Sequence, residues 1–133
     1  MEGKGYFYAP TVLLNAQPAM PVFQEEVFGP VATVIRVRDA DQAVATANDS
    51  MYGLGGNLWT QDIERGKQLA GDIESGQVFI NGMTASDPRL PFGGVKQSGY
   101  GRELSSHGIH EFVNIQTVWV GPGQTATQAA AAE

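Results

Sequence analysis

The chain has 133 residues, 42% of them hydrophobic, with 14 acidic against 8 basic side chains for a net charge of −6, and it contains no cysteine. That length buries one core rather than two, the singly scattered basic residues argue against a nucleic-acid partner, and the missing thiol excludes a disulfide framework, a thiolate metal site, a redox pair and a cysteine nucleophile. With no apolar run of bilayer length and no charged-then-apolar leader, a cytoplasmic protein without a membrane partner is the expectation.

In chain order, Tyr6 to Asn15 ("YFYAPTVLLN") reads as an extended segment broken at Pro10, peripheral rather than central. Val31 to Val37 ("VATVIRV") is a β-branched, nearly continuous apolar run, the pattern of an interior strand covered on both faces. Asp39 or Asp41 caps a predicted helix with Ala40, Ala43, Val44, Ala47 and Met51 at helical spacing, ended by Gly53. Gly53 to Thr60 ("GLGGNLWT") is the next strand, its glycines permitting close backbone approach. Asp62 opens a second helix with Ile63, Leu69, Ala70 and Ile73 as its apolar stripe, Gly66 at a close packing point and Gly76 just beyond its end. Gln77 to Asn81 is the third strand. Strand, helix, strand, helix, strand with short connections predicts two successive βαβ crossovers and hence an α/β fold with an open parallel sheet and flanking helices. Val113 to Val120 alternates apolar and polar residues as a strand exposed on one face, and 121–133 is predicted to be a disordered tail.

Four places carry candidate chemistry. "QEEVFGP", Gln24 to Pro30, puts two carboxylates and a ring before a Gly-Pro turn; it reads either as a solvated acidic turn with Phe28 as a hydrophobic staple, or as a carboxylate accepting two hydrogen bonds from a vicinal diol beside an aromatic face. "PFGGVKQSGYGRE" has four glycines in nine residues, but Gly94 and Gly99 lack the following lysine of a phosphate loop, Tyr100 standing in its place, so nucleotide phosphate binding there is rejected. "NGMTASDPRL" follows the third strand, where ligands gather in open sheets, and Thr84, Ser86 and Arg89 could orient an anionic substrate there, with an ordinary connection as the alternative. His107 and His110 are one helical turn apart, but without further ligands nearby a solvated helix face is the better reading than a metal site.

Taken together, "EEVFGP", "GLGGNLWT", "GQVFING" and "PFGGVKQSGYGREL" followed by "EFVNIQTVWV" resemble the C-terminal part of the aldehyde dehydrogenase superfamily, in that family's order and spacing over roughly residues 5–122. "VFINGMTASDPRLPFGGVKQSGYGRE" is most similar to bacterial NAD(P)-dependent succinate-semialdehyde dehydrogenases. The resemblance implies that Glu26 holds the nicotinamide ribose hydroxyls of NAD or NADP, that Phe28 packs beside the nicotinamide, that Phe92 walls the aldehyde pocket, and that Ser86 contacts the carboxylate of succinic semialdehyde. It implies a catalytic-domain part over 1–120 and an oligomerisation strand at 113–120 that joins a neighbouring subunit of a homo-oligomer.

Members of the family attack the aldehyde with a cysteine thiolate, pass a hydride to NAD(P)+ and hydrolyse the thioester with a glutamate base. This sequence has no cysteine and no match to the cofactor-binding domain, so it holds no catalytic residue and the resemblance implies an N-terminal portion supplied elsewhere. Oxidation of a small aldehyde as part of such an enzyme is the expected function, with the isolated chain inactive. A non-enzymatic module that associates with full-length dehydrogenase subunits is the alternative, and a truncated reading frame without a selected role is a third.

Overall fold

The computed structural model describes residues 3–122. Its elements are β1 (Thr11–Leu14), α1 (Pro21–Gln24), β2 (Val31–Val34), α2 (Ala40–Asn48), β3 (Tyr52–Gly53), β4 (Gly55–Leu58), α3 (Ile63–Asp72), β5 (Gln77–Ile80), β6 (Val95–Lys96) and α4 (Ser105–His110). No helix among the described residues is long and apolar enough to cross a membrane.

Both long helices start where a short acidic side chain can replace the missing intrahelical acceptor. The Asp39 carboxylate accepts from the Gln42 amide at 2.8 Å and the Asp62 carboxylate from the Arg65 amide at 2.9 Å. α2 stops at Asn48, short of the expected Gly53, because Asn48 turns its amide outward to the neighbouring helix. Its Nδ2 donates to Asp72 O at 2.7 Å, and its Oδ1 accepts from Glu74 N at 2.8 Å. A side chain engaged in this way ends one helix and anchors the exit of the next.

The β4–α3–β5 unit is the parallel crossover that the periodicity predicts, with Gly55 opposite Gln77 and Leu58 opposite Ile80. Gly66 is buried at its waist, where an added Cβ would lie 2.9 Å from Thr60 Cγ2 and 3.4 Å from Ile80 Cγ2, so only glycine lets α3 approach this closely. Asn81 closes the unit from a left-handed backbone at φ 55°, its amide pairing with both the N–H and the C=O of Thr60 at 2.8 Å.

The expected single sheet is corrected to three two-stranded ladders: β1–β2 parallel, β4–β5 parallel and β3–β6 antiparallel. The stretch predicted as one strand over 53–60 breaks at Leu54, because Gly53 pairs antiparallel with Val95 whereas Gly55 turns to pair parallel with Gln77. The run 31–37 is a strand only over Val31–Val34, and it is not interior: three of its four residues are exposed and its one partner among the described residues is β1. Its apolar residues are at best half-buried within the described chain. The same holds for 113–120, where no strand forms, since a ladder needs a second backbone and residues 114–120 find none. The tail expected at 121–133 lies, from 123 onward, outside the described residues.

Burial follows from these open faces. Among the described residues Ala16 is the one buried hydrophobic side chain, whereas Val12, Leu14, Val34, Ile115, Val118 and Trp119 are all exposed.

Candidate functional site

α1 is a single turn started by Pro21 at its first position and held by Gln24 Nε2, which donates to Pro18 O at 2.6 Å. The chain leaves it extended at Glu25, with φ −108° and ψ 149°, which delivers Glu25 and Glu26 to the rim of a concavity of about 640 Å³. Phe23 of α1 lines it with them, and Tyr52, Leu54, Gln97 and Ser98 contribute a wall from the β3–β6 region. Two bonds hold that wall: Gly53 N donates to the Ser98 side-chain Oγ at 3.0 Å and Gln97 N donates to Met51 O at 2.9 Å, flanking the two-residue β3–β6 ladder. The Glu26 carboxylate is exposed and is neither ion-paired nor hydrogen-bonded among the described residues.

Phe92 sits at the neck of the glycine-rich loop, exchanging both backbone hydrogen bonds with Glu103 at 2.8 Å. Inside the neck, Arg102 Nη1 donates to Gly94 O at 2.7 Å and to Gly101 O at 2.8 Å, tying the two ends of the glycine-rich loop together. Phe92, Tyr100, Arg102 and Phe112 line a second concavity of about 400 Å³. Leu54 and Ser98 line both concavities, so the Glu26 and Phe92 spaces meet across those two residues.

The other two candidates fall elsewhere. Phe28 is 97% exposed, which removes the staple reading, and it lines a separate groove of about 480 Å³ with Tyr6, Tyr8 and Pro30. Ser86 is exposed and lines none of these three spaces. Its neighbour Arg89 is committed locally: its Nε donates to Asp87 Oδ1 at 2.9 Å and its Nη2 to Asp87 Oδ2 at 2.6 Å. These charge-assisted bonds hold the Asp87 carboxyl below its usual range and raise the Arg89 guanidinium. Thr84 is likewise engaged, donating to Asn57 Oδ1 at 3.1 Å. His107 and His110 are exposed on α4, and the described residues contain no group of three or more side chains suited to hold a metal ion.

The aldehyde dehydrogenase family profile matches residues 1–118. The chain belongs to the aldehyde dehydrogenase family. It is similar to succinate-semialdehyde dehydrogenase [NADP(+)] 1 of Mycobacterium ulcerans, with 57% identity over 121 residues, 91% of this chain and 26% of the relative. It is also similar to the succinate-semialdehyde dehydrogenase [NADP(+)] of Mycobacterium avium, with 51% identity over 125 residues, 94% of this chain and 26% of the relative. Among solved structures it matches the succinic semialdehyde dehydrogenase of Streptococcus pyogenes in complex with NADP+, at a TM-score of 0.86 and 42% identity over 90% of this chain and 26% of that one. It matches the NAD-dependent aldehyde dehydrogenase of Sinorhizobium meliloti at 0.88 and 38%, over 95% and 25%. The chain therefore spans about a quarter of the length of these aldehyde dehydrogenases. The separate ladders and their helices are part of a larger aldehyde dehydrogenase fold in those structures.

The wall residues Tyr52, Leu54, Gln97 and Ser98 were not legible as site residues. The one sequence signal for them is the pair of glycine-rich stretches at 53–56 and 93–101, whose conformational freedom is used to bring two distant segments edge to edge.

Proposed function

We propose that this chain supplies the ribose clamp and part of the aldehyde pocket of an NAD(P)-dependent aldehyde dehydrogenase that converts a small semialdehyde, succinic semialdehyde foremost, to its acid. The observation that carries the reading is the shared border: the concavity rimmed by Glu26 adjoins the one walled by Phe92, with Leu54 and Ser98 common to both. Hydride transfer needs its donor carbon and its acceptor ring in neighbouring spaces.

The residues present fit the cofactor at Glu26. Its unengaged carboxylate can accept two hydrogen bonds from a vicinal diol, and a concavity of about 640 Å³ is of small-molecule size. Phe28 offers a free ring face in the adjoining segment, but on a separate groove, so its stacking role requires the 25–30 segment to be set by the rest of the enzyme. Bound NAD(P)+ supplies the hydride acceptor. Glu26 orients it through the ribose, and Phe92 and Leu54 keep water from the aldehyde side. The attacking thiolate comes from another stretch of protein, because this chain contains no cysteine.

The test is a cofactor-reduction assay with succinic semialdehyde and NAD+ or NADP+. The chain alone gives no reduced cofactor, and the chain mixed with the cysteine-bearing remainder of a related succinate-semialdehyde dehydrogenase gives it. Turnover by the chain alone overturns the reading.

A second reading, a non-enzymatic module that joins dehydrogenase subunits, is favoured by the exposed apolar side chains of Ile115, Val118, Trp119 and Val120. Capture of a full-length relative by the immobilised chain supports it, and its loss on removing 113–120 localises the contact.

A further inference from the structure

We propose that Lys96 is a positioning residue for the Glu26 concavity, a latch that fixes the wall carrying Tyr52, Leu54, Gln97 and Ser98; this rests on the functional reading above. Lys96 is not itself among the residues that line the concavity, and its side chain reaches the 48–50 segment, of which Ser50 does line it. There its ammonium donates to Asn48 O at 2.6 Å and Ser50 O at 3.1 Å, and pairs with Glu74 Oε2 at 2.7 Å. All three ammonium donors are thereby used, on acceptors from the exit of α2 and the segment after α3. A cation on the carbonyls that α2 leaves open at its C-terminus also complements the helix dipole. The backbone of Lys96 is held at φ 54°, a conformation that a non-glycine residue keeps only where its surroundings enforce it.

The consequence lies at the next two residues. Gln97 donates its amide to Met51 O, and Ser98 accepts from Gly53 N, so the latch and the wall share one turn of backbone. With the ammonium removed, 50–55 is held against 95–98 only by the two-residue ladder and the two bonds that flank it, Gln97 N to Met51 O and Gly53 N to Ser98 Oγ. The wall then loses its tie to the exit of α2 and to Glu74.

The experiment compares the chain with Lys96→Met and Lys96→Arg by amide hydrogen exchange, then measures kinetics after each is mixed with the cysteine-bearing remainder. Lys96→Met is expected to speed exchange at Gly53 and Gln97 at least tenfold while Asn81, which reports the β4–β5 unit, stays within twofold. Lys96→Arg restores most of the protection. In the assembled enzyme Lys96→Met raises the KM for NAD(P)+ at least tenfold with kcat within threefold. Unchanged exchange at Gly53 and Gln97, or equal acceleration at all three amides, overturns the latch. An unchanged cofactor KM alongside a loosened wall overturns its positioning role. Failure of the unsubstituted chain mixed with the cysteine-bearing remainder to yield any activity is a failure of the functional reading, seen before a variant is made, and the latch then stands or falls on exchange.

Discussion

Asn48, the last residue of α2, holds Asp72 and Glu74 at the exit of α3 with both ends of its amide, at 2.7 and 2.8 Å. One side chain thus fixes the spacing of two helices that share no strand ladder. Asn48→Ala removes both bonds and costs about 1–2 kcal/mol, since each net hydrogen bond contributes about 1 kcal/mol and the freed groups are near solvent. Asn48→Asp keeps the acceptor for Glu74 N but sets a carboxylate oxygen against Asp72 O, so it rescues no more than part of the loss. Urea denaturation with unchanged m-values checks both.

The two glycines of α3 respond in opposite directions. At Gly66 the added methyl meets Thr60 and Ile80, and overpacking of about 1–3 kcal/mol outweighs the gain of about 1 kcal/mol in helix propensity. At Gly71 an added Cβ meets nothing within 4 Å, so Gly71→Ala is stabilising by about 0.5 kcal/mol. Thermal melts of the two variants read the opposite signs directly.

The Asp87–Arg89 fork gives a pH signature of known sign. Asp87 is depressed, so its contribution is fully present above the ordinary aspartate range near pH 4, about its unfolded value, and is lost as pH falls through the lower folded value. Arg89 is raised, and its contribution would be lost only as pH rises past the arginine range, so it adds nothing in the acid window. Carboxyl-carbon NMR titration of Asp87 should show a midpoint below the ordinary one, returning toward it in Arg89→Ala.

Glu26→Gln weakens cofactor binding in the assembled enzyme without altering the fold, because its carboxylate has no partner within the described chain to lose. Charge-assisted hydrogen bonds are worth about 1.5–3 kcal/mol, which corresponds to a KM for NAD(P)+ raised roughly ten- to a hundredfold. Steady-state kinetics with a circular dichroism control separates this from unfolding.

The isolated chain is expected to self-associate, because β1, β2 and the 112–120 segment leave apolar side chains and backbone edges open. Sedimentation velocity at micromolar concentration should show species heavier than the monomer, and Trp119→Lys combined with Ile115→Lys should shift the distribution toward it. A single monomeric boundary for the unsubstituted chain would count against this.

What the sequence determined by itself is what short-range physics decides. Asp39 and Asp62 begin helices because a carboxylate three residues ahead of an open amide is a local arrangement, and β4–α3–β5 follows from periodicity and one small residue at Gly66. The family was legible for the same reason, since its motifs are contiguous. Tertiary structure alone decided the rest. That Gly53 and Gly55 pair with different strands, that Leu54 and Ser98 border two spaces at once, and that Lys96 reaches both α2 and Glu74 all depend on segments up to 48 residues apart meeting at one edge. The run 31–37 shows the limit most clearly: its pattern reports two covered faces, but a pattern records only that cover is needed, and not which part of an assembly provides it.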